Sequence, residues 1–178
     1  MSATTEYLIN VNSENGFTKV SEQEAYENGV DNMTITIRKA TVDDVNALSK
    51  IFIEFMDTYS NIEKMKCVLI QIDQNPHYYV PVACDGEKVV GVAMGIVCYD
   101  ICGTCEPFML VEDVVVLPEY RGKGVGKKIM QNVEDFGREN KCKYVILVSE
   151  AKRTDSHKFY ESIGYPVGKE MGFKKRLD

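Results

Sequence analysis

The sequence has little of what membrane-spanning, secreted or metal-binding proteins require. Its apolar runs are far shorter than the roughly 20 residues that cross a bilayer, and its first residues lack the basic and apolar blocks of a signal peptide. Its two histidines, His77 and His157, have no neighbouring ligands at the spacing of a zinc site. We therefore expect a cytoplasmic protein with no membrane partner and no bound metal.

Basic residues are in the minority, with 21 against 27 acidic residues and a net charge of −6. Residues 1–32 contain six acidic residues and one lysine, Lys19, so this segment accounts for −5 of the total and leaves −1 for the rest. A nearly neutral domain without a basic stripe gives no support to nucleic acid as a partner.

Disulfides are not expected despite six cysteines, because nothing else in the sequence indicates an oxidising compartment. Cys98, Cys102 and Cys105 have the spacing C-x3-C-x2-C, at which three thiolates can hold an iron–sulfur cluster. Here the run lies in a loop between predicted strands of a chain too short for the barrel that such enzymes use. We interpret the thiols as free, with a redox-sensitive role left open.

The chain length indicates one domain. A chain of 178 residues with 44% hydrophobic residues can bury one core and is too short for two ordinary domains. We place that domain at residues 33–178. Residues 1–32 form an N-terminal extension, either a hairpin around Asn15 and Gly16 followed by a short helix that ends near Gly29, or a loose acidic tail.

Hydrophobic periodicity predicts strands and helices along residues 33–178. A strand at 34–40 precedes two amphipathic helices, and Thr41 with Asp44 resembles an N-cap for the first. Two strands joined at Asp85 and Gly86 follow, and then a long strand at 109–117. The prediction is completed by a helix reaching about residue 140, a strand at 144–149, a short helix and a closing strand at 171–177.

The most informative stretch is VVVLPEYRGKGVGKKIM, a glycine-rich loop between an apolar strand and the start of a helix. Glycines at 122, 124 and 126 allow the chain to turn its N–H groups inward, and a helix N-terminus adds partial positive charge. Arg121, Lys123 and Lys127 add fixed cations. The loop is therefore suited to hold a pyrophosphate.

Two other phosphate-binding loops do not fit this spacing. A Walker A loop needs Ser or Thr after its lysine, whereas Lys127 is followed by Lys128. A dinucleotide fingerprint would need its third glycine where Lys127 stands, and too few residues follow for its remaining strands.

At these residues the sequence resembles the GNAT family of N-acetyltransferases, whose signature is Arg or Gln, two residues, Gly, one residue, then Gly or Ala. Arg121, Gly124 and Gly126 fit it, and the resemblance extends from TITIRKATVDD through LVEDVVVLPEYRGKGVG to HKFYESIGY and GFKKRL, about residues 33–178. It implies acetyl-CoA as cosubstrate. It also implies an α/β (α+β) fold with a central mixed, mostly antiparallel, twisted sheet and helices on both faces.

The resemblance also assigns the cofactor contacts. The backbone of the strand before the loop would bind the pantetheine arm, and the loop would bind the pyrophosphate. The strand residues are Val114, Val115 and Val116, and the loop residues are Arg121, Gly122, Lys123, Gly124, Val125, Gly126 and Lys127. Relatives often carry an Asn near the start of the next helix, where this chain offers Asp155 or Ser156.

Acyl transfer to an amine requires a proton acceptor and gains from a proton donor at the sulfur. Tyr160 matches the tyrosine that acts as general acid in the family, although a core tyrosine bonded elsewhere is the alternative. Glu112 matches the position of the base or of a carboxylate that aligns water, and the alternative is a structural ion pair. Strand alternation predicts that Glu112 and its neighbour Asp113 face opposite sides. His157 is a candidate for the acceptor pocket.

The sequence thus predicts an acetyl-CoA-dependent N-acetyltransferase that moves the acetyl group directly to the primary amine of a small molecule. A non-catalytic acyl-CoA-binding regulatory domain and a protein or peptide N-acetyltransferase are the alternatives. The run VEDVVV also resembles glucosamine-phosphate acetyltransferases, but it is too short to assign a sugar. The oligomeric state is left open, a homodimer included.

Deletion of residues 1–32 should leave the affinity for acetyl-CoA within a few-fold of the parent, because the resemblance begins at residue 33. Isothermal titration of both chains measures this. If affinity collapses while circular dichroism shows a folded protein, the extension belongs to the site and the boundary at residue 33 is wrong.

Overall fold

The computed structural model describes residues 33–56 and 58–177. The hairpin and short helix predicted within residues 1–32 lie outside this part. The strands are β1 (Ile35–Lys39), β2 (Tyr78–Tyr79), β3 (Pro81–Asp85), β4 (Lys88–Cys98), β5 (Phe108–Val116) and β6 (Val145–Leu147). The α-helices are α1 (Val45–Met56), α2 (Ile62–Asp73), α3 (Val125–Glu139) and α4 (Thr154–Ser162). Within these ranges no helix combines the length and hydropathy needed to cross a bilayer.

The strands form one mixed sheet in the order β1-β3-β4-β5-β6, with β2 paired to the second half of β4. Every pairing is antiparallel except that of β5 with β6. The predicted mixed, mostly antiparallel sheet is therefore confirmed, and the turn at Asp85 and Gly86 does join two paired strands.

Helices cover both faces of the sheet, and each face has its own core. On one face α3 buries Val125, Ile129, Met130 and Val133 against β4 and β5, each at most 1% exposed. Their three- and four-residue spacing places these side chains on one side of the helix. Burial of each one stabilises the fold by about 1.5–3 kcal/mol. On the other face α1 and α2 pack on β3, on the first half of β4 and on the end of β5.

A β-bulge in β5 changes which residues face which core. Val92 pairs with Val115 and Met94 with Glu112, so two residues of β5 lie opposite the single Ala93. Asp113, inside the bulge, has a φ of 56°. Before the bulge Val111 packs in the α3 core, whereas Val115 after it packs in the α1 core. Simple alternation therefore does not hold from Val111 to Val115, and the opposite faces expected for Glu112 and Asp113 stay a prediction.

The C-terminal part of the chain differs from the prediction. The strand expected at 144–149 is shortened to β6, and the strand expected at 171–177 is not formed. Met171, Phe173 and Leu177 are 79%, 90% and 93% exposed. An alternating pattern supplies only β-propensity, and a strand also needs a neighbouring edge and a face on which to bury its side chains.

The predicted cap at the start of α1 is a hydrogen-bonded cluster around the buried carboxylate of Asp44. Asp44 accepts from both terminal nitrogens of Arg38 at 2.7 Å and from the backbone N–H of Thr41 at 2.8 Å. The hydrogen bond from Arg38 lowers the pKa of Asp44 against the opposing effect of burial. This cluster joins β1 to the 3-10 turn Val42–Asp44 that leads into α1.

Asp44→Asn should lower the free energy of unfolding by about 1–3 kcal/mol at pH 7, because it weakens a charged, bidentate hydrogen bond. The pKa of Asp44 is lower in the folded protein than in the unfolded chain. Its contribution to stability is therefore present above the unfolded pKa of about 3.9 and is lost as the pH falls through the folded pKa. Urea denaturation at several pH values should therefore show a difference that shrinks in acid.

Asp73→Asn is the matched control. Its exposed pair with Lys39, also 2.7 Å long, should contribute at most about 1 kcal/mol. Equal losses from the two variants would contradict a special role for Asp44.

Candidate active site

The loop between β5 and α3 presents a row of backbone N–H groups. Gly122 and Gly124 have φ angles of 73° and 79°, in the left-handed region that glycine adopts without strain, and Gly124 is the N-cap of α3. None of the described residues accepts a hydrogen bond from the amides of residues 122–127. These donors, with the positive end of the α3 dipole, form a site for an anion.

The third glycine of the loop has a packing role. A Cβ at Gly126 would lie 3.1 Å from Cζ of Phe159 on α4, whereas a Cβ at Gly122 or Gly124 would meet open space. Gly126 thus allows α3 and α4 to approach closely. It brings α4, which carries Tyr160, next to the loop.

The cations around the loop differ in their surroundings. Arg121 donates from Nε to the carbonyl oxygen of Val116 at 2.9 Å and lies 3.5 Å from the carboxylate of Glu54. Lys123 lies over the ring of Tyr120 at 5.7 Å. Lys127 is exposed. Arg121 therefore fastens the loop to the end of β5, and Lys123 and Lys127 leave their charges at the surface.

The strand before the loop has an open edge. β6 pairs with β5 only from Met109 to Val111, so the second half of β5 has no strand partner on that side among the described residues. This half contains the predicted residues Val114, Val115 and Val116, and the carbonyl of Val116 is the one bonded to Arg121. An extended chain entering between β5 and β6 would find unpaired backbone groups there.

Tyr160 lies on α4 with its ring against Phe159 and Tyr165, at centroid distances of 5.2 and 6.0 Å. Its hydroxyl has no hydrogen-bond partner among the described residues. Because every buried side-chain polar atom in this part of the chain forms a hydrogen bond, the Tyr160 hydroxyl is not fully buried and reaches solvent. Burial raises the pKa of Tyr160, Arg153 acts against this rise, and Glu112 adds to it. The phenol is therefore held in its protonated form.

The neighbouring Tyr165 shows the contrasting arrangement. Its hydroxyl donates to Oε1 of Glu134 at 3.0 Å, and burial together with this carboxylate raises its pKa. Of the two tyrosines, Tyr165 is the one with a structural hydrogen bond.

Glu112 is half-buried at the residue before the bulge. No described residue forms an ion pair or a hydrogen bond with its carboxylate, so the structural ion pair considered from the sequence has no partner in this part of the chain. The next carboxylate, Asp113, has its pKa raised by burial and then by Glu112, while Lys174 opposes the rise. The two carboxylates thus lie together at the point where β5 leaves β6.

Several other residues singled out in the sequence bond to local partners. Asp155 is exposed and forms a 3.2 Å ion pair with Lys158. His157 bonds through Nε2 to the carbonyl oxygen of Glu150 at 3.0 Å, and His77 bonds to the hydroxyl of Tyr99 at 2.7 Å. The six cysteines are all free thiols, and the described residues hold no cluster of ligands suited to a metal.

Sequence reasoning missed two cations that influence Tyr160 and Asp113, namely Arg153 and Lys174. Arg153 lies before the HKFYESIGY motif, and Lys174 lies within GFKKRL but carries no spacing signal of its own. Only the packing of α4 and of the C-terminal segment brings their charges within reach of Tyr160 and Asp113.

Comparison with known proteins settles the family. The profile of the Acetyltransferase (GNAT) family matches residues 45–165. This chain belongs to the GNAT acetyltransferase family. It is an acetyltransferase, and acetyl-CoA is its cosubstrate. The described residues fit that molecule, since unbonded amides at a helix N-terminus suit its pyrophosphate and the open edge of β5 suits its extended arm.

The relatives of the GNAT protein act on different acceptors. It is 44% identical over 55 residues to a glucosamine 6-phosphate N-acetyltransferase of Trypanosoma brucei brucei, covering 31% of this chain and 35% of that one. It is 28% identical over 134 residues to the catalytic subunit of the N-terminal acetyltransferase B complex of Arabidopsis thaliana, covering 74% and 73%. Among solved structures, the glucosamine-6-phosphate N-acetyltransferase of Arabidopsis thaliana matches with a TM-score of 0.72 at 24% identity, over 82% of this chain and 99% of that one. The last likeness shows the fold.

Acetyl-CoA should raise the melting temperature markedly more than NAD or ATP at equal concentration. A ligand at about 100 times its dissociation constant adds about 2.7 kcal/mol to stability, which thermal denaturation detects readily. Equal shifts with NAD, or none with acetyl-CoA, would contradict the site described here.

Proposed function

We propose that this GNAT protein acetylates the primary amine of a small molecule by direct transfer from acetyl-CoA. The observation that carries the proposal is that α4 packs against the glycine loop and carries Tyr160, whose hydroxyl has no hydrogen-bond partner within the described residues. Glu112, which forms no ion pair there either, adds to the raised pKa of Tyr160, and this supports a carboxylate near the phenol.

In this proposal the loop and strand hold the cosubstrate. The amides of residues 122–127 bind the pyrophosphate, with Lys123 and Lys127 adding positive charge. The backbone of Val114, Val115 and Val116 binds the pantetheine arm along the open edge of β5. Arg121 keeps the loop next to that edge. The exposed Asp155 is the weakest of the predicted contacts, because its carboxylate is repelled by phosphate and is paired with Lys158.

The reaction removes two protons from the ammonium group and adds one to the sulfur. Acetyl-CoA supplies the acetyl thioester, and the amine must first lose a proton because alkylamines with a pKa of about 10.4 are charged at neutral pH. Glu112 takes this first proton, directly or through water. As the bond from nitrogen to the acetyl carbon forms and the carbon–sulfur bond breaks, Tyr160 donates its proton to the sulfur, and the second proton of the nitrogen returns to Tyr160 through water. The raised pKa of Tyr160 keeps this donor protonated across the working pH range.

A peptide N-terminus is the second candidate acceptor. It is supported by the Arabidopsis relative, which aligns with 74% of this chain. A panel of small amines and of peptides with free N-termini, with release of the CoA thiol as the readout, distinguishes the two. We also propose a cytoplasmic location, where the six free thiols would stay reduced.

Tyr160→Phe should lower kcat by at least about 100-fold on the best acceptor and barely change acetyl-CoA affinity, because it removes a general acid and leaves the loop intact. Tyr165→Phe is the matched control, since its hydroxyl is bonded to Glu134 and should affect stability more than turnover. Steady-state kinetics and calorimetric titration measure both quantities. Full activity in Tyr160→Phe would remove this residue from the chemistry.

Glu112→Gln should lose activity at neutral pH and recover part of it as the pH approaches about 9.5, where more of the amine is already neutral. Tyr160→Phe should show no such recovery. A pH series of kcat/KM tests this. If Glu112→Gln is as active as the parent at neutral pH, Asp113 or a water chain is the proton path.

A further inference from the structure

Within residues 33–177, the described helices cover only half of the sheet face that carries Glu112. Met94 and Glu112 are registered partners, and Met94 packs in the α1 and α2 core, so Glu112 points to the same face. That core uses the first half of β4 and the end of β5. The remaining half of the face continues along β5 toward its start.

This uncovered half is an apolar floor, which consists of Tyr78, Ile96, Cys98, Phe108, Leu110 and Ile146. Register places all six on one face, since Ile96 pairs with both Tyr78 and Leu110, Cys98 with Phe108, and Leu110 with Ile146. The alternating residues Val97, Met109 and Val111 are buried on the opposite face, whereas the floor residues are half-buried or exposed, Ile146 at 43%.

The floor is continuous with the reaction centre and carries no charge of its own. Leu110 lies two residues before Glu112 on the same strand and face, a distance of about 6.7 Å. Glu112 thus places a carboxylate at one end of an apolar surface. At the other end Phe108 stacks on Tyr144 with ring centroids 5.3 Å apart and planes 7° apart.

These features correspond to an acceptor with two parts. A carboxylate beside the thioester site suits an ammonium group, and a flat surface of rings and branched aliphatic side chains suits a flat apolar group. The spacing between them matches a short alkyl linker. A phosphorylated sugar would instead place a dianion over the apolar floor, whose six residues include no cation to balance its charge.

Resting on the proposed function, we infer that the acceptor is an arylalkylamine, with its amine at Glu112 and its ring on the apolar floor. The expected result is a higher kcat/KM for 2-phenylethylamine than for ethanolamine or glucosamine 6-phosphate. Loss of apolar contact in such a site lowers specificity by about 10-fold or more.

Leu110→Lys and Ile146→Lys in the full chain test the floor. Each should lower the ratio of kcat/KM for 2-phenylethylamine to that for ethanolamine by at least about 10-fold. Ile70→Lys is the matched control, because Ile70 is 49% exposed on α2 and lies outside the floor. Circular dichroism and the acetyl-CoA melting shift check that the variants fold and bind cosubstrate.

Other outcomes separate this inference from the proposed function. Acetylation of glucosamine 6-phosphate or ethanolamine in preference to 2-phenylethylamine overturns the inference and leaves the proposed function standing. No acetylation of any amine, with acetyl-CoA still bound, overturns both. If Leu110→Lys or Ile146→Lys changes the oligomeric mass or the melting temperature while the amine ratio is unchanged, a second copy or residues 1–32 cover the floor, and the inference is wrong.

Discussion

The structure depends on the unequal pairing of β5. This strand bonds to β4 along almost its whole length but to β6 only at Met109 to Val111. Its first half therefore belongs to a continuous sheet, while its second half has no strand partner on one edge among the described residues. An edge of this kind is normally a liability, and proteins retain it where a ligand or another chain completes it.

The bulge at Asp113 allows the same strand to serve both cores. On a regular strand Val111 and Val115 would point to one face, because residues four apart do so. The bulge instead directs Val111 to the α3 core and Val115 to the α1 core. The two carboxylates at 112 and 113 sit at this change of direction, so their position is fixed by packing on both sides of the sheet.

Contacts of two side chains, Arg121 and Phe159, join the loop, the edge of β5 and α4. Arg121 reaches back from the loop to the carbonyl oxygen of Val116, and the ring of Phe159 packs directly over Gly126. The unbonded amides of the loop, the open edge and Tyr160 are thus held by contacts among α3, α4 and β5. Preorganisation of this kind keeps donors aimed before a ligand arrives and reduces the cost of binding.

The sequence by itself determined the local features. Periodicity placed the helices and most strands, the Asp-Gly pair placed a hairpin, and the glycine loop with its flanking strand and helix indicated the family and its cosubstrate. These are properties of short segments, whose backbone preferences and amphipathic faces are written in neighbouring residues.

Only the tertiary structure decided the rest. The bulge at Asp113, the early end of β6, the failure of residues 171–177 to form a strand and the apolar floor beside Glu112 all depend on which distant segments meet. The same holds for the contrast between Tyr160 and Tyr165, since Glu134 bonds one hydroxyl and not the other. Pairing, burial and hydrogen-bond satisfaction are relations between residues far apart in the chain, and no local pattern specifies them.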